Sequence, residues 1–142
     1  MGVTIDSENC SIDLGYSGFN RLRTKVAELT APDILEHYMK LQKGMFLTGT
    51  IREEFFKDYN TEIQRLSEKY NGDKDNILDF LYASDCDGEM DVEHCKSIHD
   101  VIKDYDDDIC YGYCGRPDCA MFGDFKELVK DCIDTNTPME WS

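Results

Sequence analysis

The sequence predicts a mainly α-helical domain of the α+β class, with about five to six helices and a small N-terminal β-hairpin. Over most of the 142 residues, apolar side chains recur every three or four positions, as they do on one face of a helix. The first 14 residues alternate instead. Hydrophobic residues make up 41% of the chain and include 7 Phe and 8 Tyr, enough for a packed core. Because no repeat or linker divides the sequence, we expect residues 1–142 to form a single compact domain.

The alternating N-terminal segment predicts the hairpin. A polar turn over residues 6–9 separates two short runs in which every second residue is apolar. This period of two is typical of strands with one buried face. The apolar positions are Val3, Ile5, Cys10, Ile12 and Leu14.

Two helices are predicted next. Apolar residues at helical spacing indicate a helix over about 18–29, in which Phe19 faces the core. A second helix begins at Pro32, because proline suits the first helical turn. Its inward residues are predicted to be Ile34, Leu35, Tyr38 and Leu41. The glycines at 44 and 49 predict a break after it.

The following helix is predicted to be about 20 residues long. Thr50 and Glu53 match a capping box, in which each side chain binds a free backbone amide of the first turn. Asn71 and Gly72 are residues typical of a helix end. The inward side of this helix is predicted to comprise Ile51, Phe55, Tyr59, Ile63, Leu66 and Tyr70.

Three shorter helices complete the prediction. One covers residues 77–81, and a second follows Asp91, whose side chain can cap it. A Gly- and Cys-rich loop at 110–119 precedes the last helix near 124–133. Beyond it, the tail at 139–141 carries two further apolar residues.

The charge is concentrated in the second half of the chain. The net charge is -15, with 11 Asp and Glu against 9 Lys and Arg in residues 1–70, and 19 against 6 in residues 71–142. An acidic surface repels nucleic acid and anionic membranes and favours basic partners. We therefore expect no direct nucleic-acid binding and no membrane association. Since the start of the chain lacks the pattern of a secretory signal, a cytoplasmic location with reduced thiols is expected.

The acidic loop at 85–93 has carboxylates at alternate positions, as a calcium-binding loop does. Met90, however, stands where that loop needs glycine, and Lys96 stands where the main metal ligand belongs. We therefore interpret the loop as an acidic turn that ends in the capping Asp91. A binding role on the surface is left open for Asp85, Asp87 and Glu89.

Cysteines in the loop at 110–119 are weak candidates for a zinc site. Cys110, Cys114 and Cys119 can bind zinc if a fourth ligand comes from Cys132, Cys95 or His94. A second set of closely spaced ligands is missing, so reduced thiols that form a disulfide on oxidation are the favoured interpretation. No histidine pairs with a thiol in the sequence, which disfavours a nucleophilic cysteine.

The segment 15–23 can bind a ligand. Its two glycines leave amides free before a helix, Arg21 and Arg23 can bind phosphate or carboxylate, and Tyr16 can stack on a base. The alternative is that both arginines pair with the acidic half of the chain. Another group, Asp106, Asp107 and Asp108, lies at the unfavourable end of its helix for the dipole, which favours a basic partner there.

Three segments together resemble a set of short uncharacterised proteins from phages and mobile elements of Gram-positive bacteria. They are 15–23 (GYSGFNRLR), 84–89 (SDCDGE) and 113–118 (YCGRPD). The resemblance implies an accessory phage protein that binds and blocks a host factor, such as a defence enzyme or its nucleotide signal. It supplies no catalytic residue.

Three functions follow as hypotheses. The first is a non-enzymatic inhibitor that docks its acidic second half on a host protein with a basic surface. The second is sequestration of a nucleotide-type signalling molecule in a pocket where Tyr16, Arg21 and Arg23 face Asp85 and Asp87. The third is a metal-binding structural protein. An enzyme is least supported, because no base, nucleophile and stabilising group occur together, and no cofactor is expected.

Overall fold

The computed structural model describes residues 2–113, 115–117 and 119–142, and it has the expected α+β fold. Within these residues there are six helices of at least eight residues, one single-turn helix and four short strands. The helices are α1 (Tyr16–Thr30), α2 (Pro32–Met39), α3 (Leu41–Met45), α4 (Gly49–Lys69), α5 (Asp75–Tyr82), α6 (Val92–Ile102) and α7 (Phe122–Thr135). The strands are β1 (Val3–Asp6), β2 (Ser11–Leu14), β3 (Gly88–Met90) and β4 (Met139–Trp141). None of the helices in these ranges is long and apolar enough to cross a membrane.

The predicted hairpin is part of a larger antiparallel sheet. Strands β1 and β2 pair as predicted, with Val3 opposite Leu14 and Ile5 opposite Ile12. The sheet continues through β4 to β3, in the order β2-β1-β4-β3. The last two strands were not predicted, because a run of three residues is too short to identify a strand.

The inner face of the sheet covers the helices. Side chains of Ile5, Leu14, Met139 and Trp141 are buried on this face. The Trp141 ring meets Phe19 of α1 edge to face, with centroids 5.6 Å apart. Because neighbouring residues of a strand point to opposite faces, the polar residues between them are left on the outer, solvent-facing side.

Two of the predicted helix ends are confirmed. The Asp91 Oδ1 atom accepts a hydrogen bond from the His94 amide at 2.9 Å, which caps α6. At the end of α4, Asn71 and Gly72 have φ angles of 54° and 79°, the left-handed conformation that stops a helix.

The capping box at Thr50 and Glu53 was wrong. Helix α4 begins at Gly49, and no side chain caps its first turn. Gly49 has a φ of 63°, a conformation that residues with a side chain rarely adopt, and the helix begins two residues before Ile51, the first helical residue predicted.

The inward face predicted for α4 is confirmed except at Ile51: Tyr59 and Leu66 are buried, and Phe55, Ile63 and Tyr70 are half-buried. No other residue of α4 is buried, and Ile51 is 66% exposed. The predicted break starts later, because Gly44 belongs to α3. A Cβ atom at Gly44 would lie within 3 Å of the Phe55 ring, so glycine allows α3 and α4 to approach closely. Only one side of the first half of α4 packs on the rest of the molecule, and few of its side chains are buried there.

Candidate functional site

The outer face of the sheet carries a row of three carboxylates. Asp6 of β1 lies opposite Glu140 of β4, and Glu140 lies opposite Glu89 of β3. All three side chains are exposed. The pairing of strands that are distant in sequence thus places three negative charges side by side.

A second row lies next to the first. Asp13 of β2 is paired with Thr4, whose Oγ1 donates a hydrogen bond of 2.9 Å to the Asp13 carboxylate. Thr4 and Ser142 exchange two backbone hydrogen bonds, of 2.9 and 3.1 Å. Asp87 lies at the other end of this row and borders the same shallow depression as the first row. We call these five exposed carboxylates the acidic sheet face: Asp6, Asp13, Asp87, Glu89 and Glu140.

No ion pair to a carboxylate of the acidic sheet face is found among the residues that the structure describes. Like charges directly opposite each other on adjacent strands destabilise a sheet. Folding alone therefore does not favour this arrangement.

Carboxylates elsewhere in residues 71–142 are also mostly exposed. Only Asp75, Asp107 and Asp131 are half-buried among those described. Ion pairs in this half are local, for example Lys96 with Glu93 and Lys130 with Asp134. In the described ranges, no lysine or arginine of residues 1–70 pairs with a carboxylate of residues 71–142, so the alternative that Arg21 and Arg23 neutralise the acidic half was wrong.

The acidic run at 106–108 is divided in its roles. Asp107 accepts hydrogen bonds from the hydroxyls of Tyr105 and Tyr111, at 2.7 and 2.8 Å. Partial burial opposes ionisation of Asp107, but these hydrogen bonds outweigh it and lower the pKa of the carboxyl. Asp107 is thus a structural residue rather than a surface site, whereas Asp106 and Asp108 are exposed as expected.

Arg23 is also structural, contrary to the prediction of a free ligand-binding arginine. Its side chain is 3% exposed, and its guanidinium lies 4.0 Å from the centre of the Phe19 ring. The Nη1 atom donates to the carbonyl oxygens of Leu81 at 2.9 Å and Ala83 at 2.7 Å, and Nη2 donates to Ser84 O at 3.2 Å. These carbonyls end α5, where helical partners are missing, so Arg23 caps that helix from α1.

The predicted ligand group is only partly brought together. Tyr16, Arg23 and Asp85 border one cleft between the helices. Arg21 does not: it is exposed and lies over the Tyr111 ring, 5.9 Å from its centre. Two residues along a helix correspond to a rotation of about 200°, so Arg21 and Arg23 cannot point into the same site. Asp87 belongs to the acidic sheet face instead.

Tyr16 lies at the mouth of this cleft and is 38% exposed. The nearby Cys86 thiol and Asp85 carboxylate, together with partial desolvation, raise the pKa of the Tyr16 hydroxyl. The side chains of Asp85 and Cys86 are exposed. This corner of the cleft therefore carries negative charge.

His37 is a buried histidine whose two ring nitrogens both have a hydrogen-bond partner. Nε2 donates to the Tyr59 carbonyl oxygen at 3.0 Å, and Nδ1 accepts from the Tyr82 hydroxyl at 2.6 Å. Burial lowers the pKa of His37. The ring is therefore held neutral as a structural link between α2, α4 and α5.

The cysteine loop does not have the features of a zinc site in the part that is described. Cys110 and Cys119 form a disulfide, the oxidised state expected for thiols of this loop, so their sulfur atoms are not available as thiolate ligands. Cys114 lies outside the described residues. Within the described ranges, no group of three His, Cys, Asp or Glu side chains is placed to hold a metal ion.

Sequence reasoning missed three members of the acidic sheet face: Asp6, Asp13 and Glu140. A signal for Glu140 was present, because it stands between the apolar Met139 and Trp141 in a pattern of period two. The pairing of these strands with one another, however, has no local signature. No family model, curated protein or solved structure matches this chain. Its function must therefore be inferred from its own residues.

Proposed function

We propose that this chain is a non-enzymatic binding protein that docks its acidic sheet face on the basic surface of a partner protein and thereby inhibits the partner. The row Asp6, Glu140 and Glu89 carries this proposal. Three adjacent, exposed carboxylates without a described counter-ion lower the stability of a sheet, and this penalty is relieved when a cationic surface binds.

The shape of the surface supports the same function. The outer side of the four strands is not covered by a helix, and its polar side chains lie on a short, open face. Such a face suits contact with a broad surface better than enclosure of a small molecule. The net charge of -15 adds long-range attraction to a basic partner and speeds the encounter.

The proposed partner is a protein rather than a nucleic acid or an anionic membrane, since both of these repel carboxylates. Lysine and arginine side chains supply the donors that this face lacks. The resemblance to phage and mobile-element proteins favours a host protein as the partner, and a basic groove that normally binds nucleic acid is a suitable target. Inhibition then results from occupation of that groove.

A variant with the row neutralised tests the proposal. Asp6→Asn/Glu89→Gln/Glu140→Gln removes three charges and keeps the size of the side chains. The matched control Glu53→Gln/Glu54→Gln/Asp58→Asn removes three exposed charges from α4. Each protein is immobilised and exposed to lysate of a Gram-positive host at 50 and 500 mM salt, and retained proteins are identified by mass spectrometry.

We expect a partner that the wild type and the α4 control retain at low salt, that 500 mM salt releases, and that the row variant does not retain. The row variant should unfold at the same temperature as the wild type or higher, because repulsion between strands is removed. Equal retention by the row variant and the wild type would show that the sheet face is not the docking surface. Absence of any partner with this salt dependence would reject the proposed function.

A further inference from the structure

A cleft lies among α1, α2, α3, α4 and α5, apart from the acidic sheet face. Its volume is about 490 Å³, within the range of roughly 300–1,000 Å³ typical of sites for small molecules. None of its lining residues belongs to the acidic sheet face. The cleft is therefore a separate candidate site, and its size suits one small molecule.

The walls of the cleft are rich in aromatic rings. Tyr16 stands at the mouth, and the rings of Tyr38 from α2, Phe56 and Tyr59 from α4, and Tyr82 from α5 line the cavity. The Tyr59 and Tyr82 rings meet edge to face, with centroids 5.7 Å apart. Aromatic walls favour a ligand with a planar ring, because such a ligand can stack on them.

Two residues of the wall carry buried polar atoms without a hydrogen-bond partner. These are Tyr59 Oη and Arg23 Nε, in side chains that are 6% and 3% exposed. The neighbouring Tyr82 hydroxyl donates to His37 Nδ1 at 2.6 Å. Buried polar groups in proteins nearly always have partners, so two such atoms in the wall of one cleft indicate a missing ligand group.

The charges of the lining favour an anion. Arg23 is buried, and it forms no ion pair with any carboxylate that the structure describes. Arg52 lies at the rim, where its guanidinium is 5.0 Å from the centre of the Phe56 ring. Asp85 is the sole carboxylate among the lining residues described, so the cleft has more positive than negative side chains in a chain of net charge -15. An anionic group near Arg23 and Arg52 would balance the buried charge.

Helix α4 allows a ligand to reach the covered atoms. It supplies Arg52, Phe56 and Tyr59 to the cleft, yet only two of its 21 residues are buried. An element with few buried side chains moves at low cost in free energy. A ligand in the cleft reaches Tyr59 Oη and Arg23 Nε, which are buried in this structure, only if α4 shifts outward.

We propose that this cleft binds a small planar molecule with an anionic group, of the mononucleotide class. The base stacks between the aromatic walls and accepts or donates a hydrogen bond at the Tyr59 hydroxyl. The phosphate lies toward Arg52, whereas Arg23, whose terminal nitrogens cap α5, can offer only its Nε atom. Arg21, which was expected to take part, is outside this site.

Calorimetric titration tests the site with AMP, GMP, CMP and UMP, each to 5 mM. The wild type should bind at least one of them saturably. Tyr59→Phe and Arg52→Gln should each weaken that binding at least fivefold, as expected for loss of one hydrogen bond or one charge contact. Two matched controls outside the cleft are Tyr70→Phe, whose hydroxyl binds Asp33, and Arg65→Gln, whose guanidinium binds Glu62. Both should bind within twofold of the wild type.

The stability of Tyr59→Phe separates binding from folding. Removal of an unpartnered buried hydroxyl should leave the urea midpoint equal to that of the wild type or higher, whereas Tyr70→Phe should lower it. No saturable binding of any of the four nucleotides would overturn the proposal. Wild-type affinity in Tyr59→Phe, or in Arg52→Gln, would overturn it as well. Docking through the sheet face is unaffected by either result.

Discussion

Replacement of Arg23 by methionine should destabilise the fold strongly, whereas the same replacement at Arg21 should not. The two arginines are two positions apart on α1, but one is buried and the other is exposed. Methionine preserves most of the apolar stem and removes the guanidinium. The pair therefore isolates the contribution of the hydrogen bonds at the end of α5.

The expected loss for Arg23→Met follows from the carbonyls that lose their donor. The carbonyl oxygens of Leu81 and Ala83 have no other described partner, while Ser84 O keeps the Trp141 Nε1 donor at 2.9 Å. Each unsatisfied buried carbonyl costs about 1–3 kcal/mol. Release of the buried charge returns part of this energy. We expect a net loss of about 2–3 kcal/mol in the free energy of unfolding, and less than about 1 kcal/mol for Arg21→Met.

Urea unfolding of the two variants and the wild type measures this difference. With a slope of about 2 kcal/mol/M in urea, the midpoint of Arg23→Met should fall by roughly 1–1.5 M. The midpoint of Arg21→Met should stay close to that of the wild type. Equal shifts in both variants, or a loss below about 1 kcal/mol for Arg23→Met, would refute the assignment of Arg23 as a structural cap of α5.

Two further predictions concern pH and the disulfide. Burial lowers the pKa of His37, so its stabilisation is complete above the unfolded value of about 6.5 and is lost as pH falls. Burial also lowers the pKa of His94, but the hydrogen bonds from its ring to two carboxylates outweigh burial and raise this pKa overall. The stability that His94 adds to the fold is therefore complete below about pH 6.5 and is lost as pH rises. Urea titrations at pH 5.5 and 8 measure the free energy of unfolding that each variant loses relative to the wild type. The loss for His94→Gln should be larger at pH 5.5, and the loss for His37→Gln should be larger at pH 8. The same pH trend in both variants would contradict these assignments. The disulfide between Cys110 and Cys119 closes a short loop, so Cys110→Ser/Cys119→Ser should lose about 2–3 kcal/mol of stability, whereas Cys86→Ser, at an exposed free thiol, should lose little. Seven reactive thiols in the denatured, unreduced protein would disprove the disulfide.

Local signals in the sequence determined the fold class, the hairpin and most helices. The cap of α6 by Asp91 and the end of α4 at Asn71 and Gly72 depend on residues three or four positions apart, so they can be read directly from the chain. Periodicity located the buried side of α1 for the same reason. It failed at Ile51, near the start of α4, because an apolar residue on the inward side of a helix does not reveal whether another element covers it.

Contacts between distant segments decided the candidate sites. The acidic sheet face exists because β4, at the end of the chain, pairs with both β1 and β3. Arg23 is a buried structural residue because its guanidinium binds carbonyls 58 to 61 positions further along the chain. The sequence by itself determined that this protein is acidic, mainly helical and able to form a core. Only the tertiary structure determined which charges meet and which arginine is buried, because those outcomes depend on packing between elements rather than on the preferences of each one.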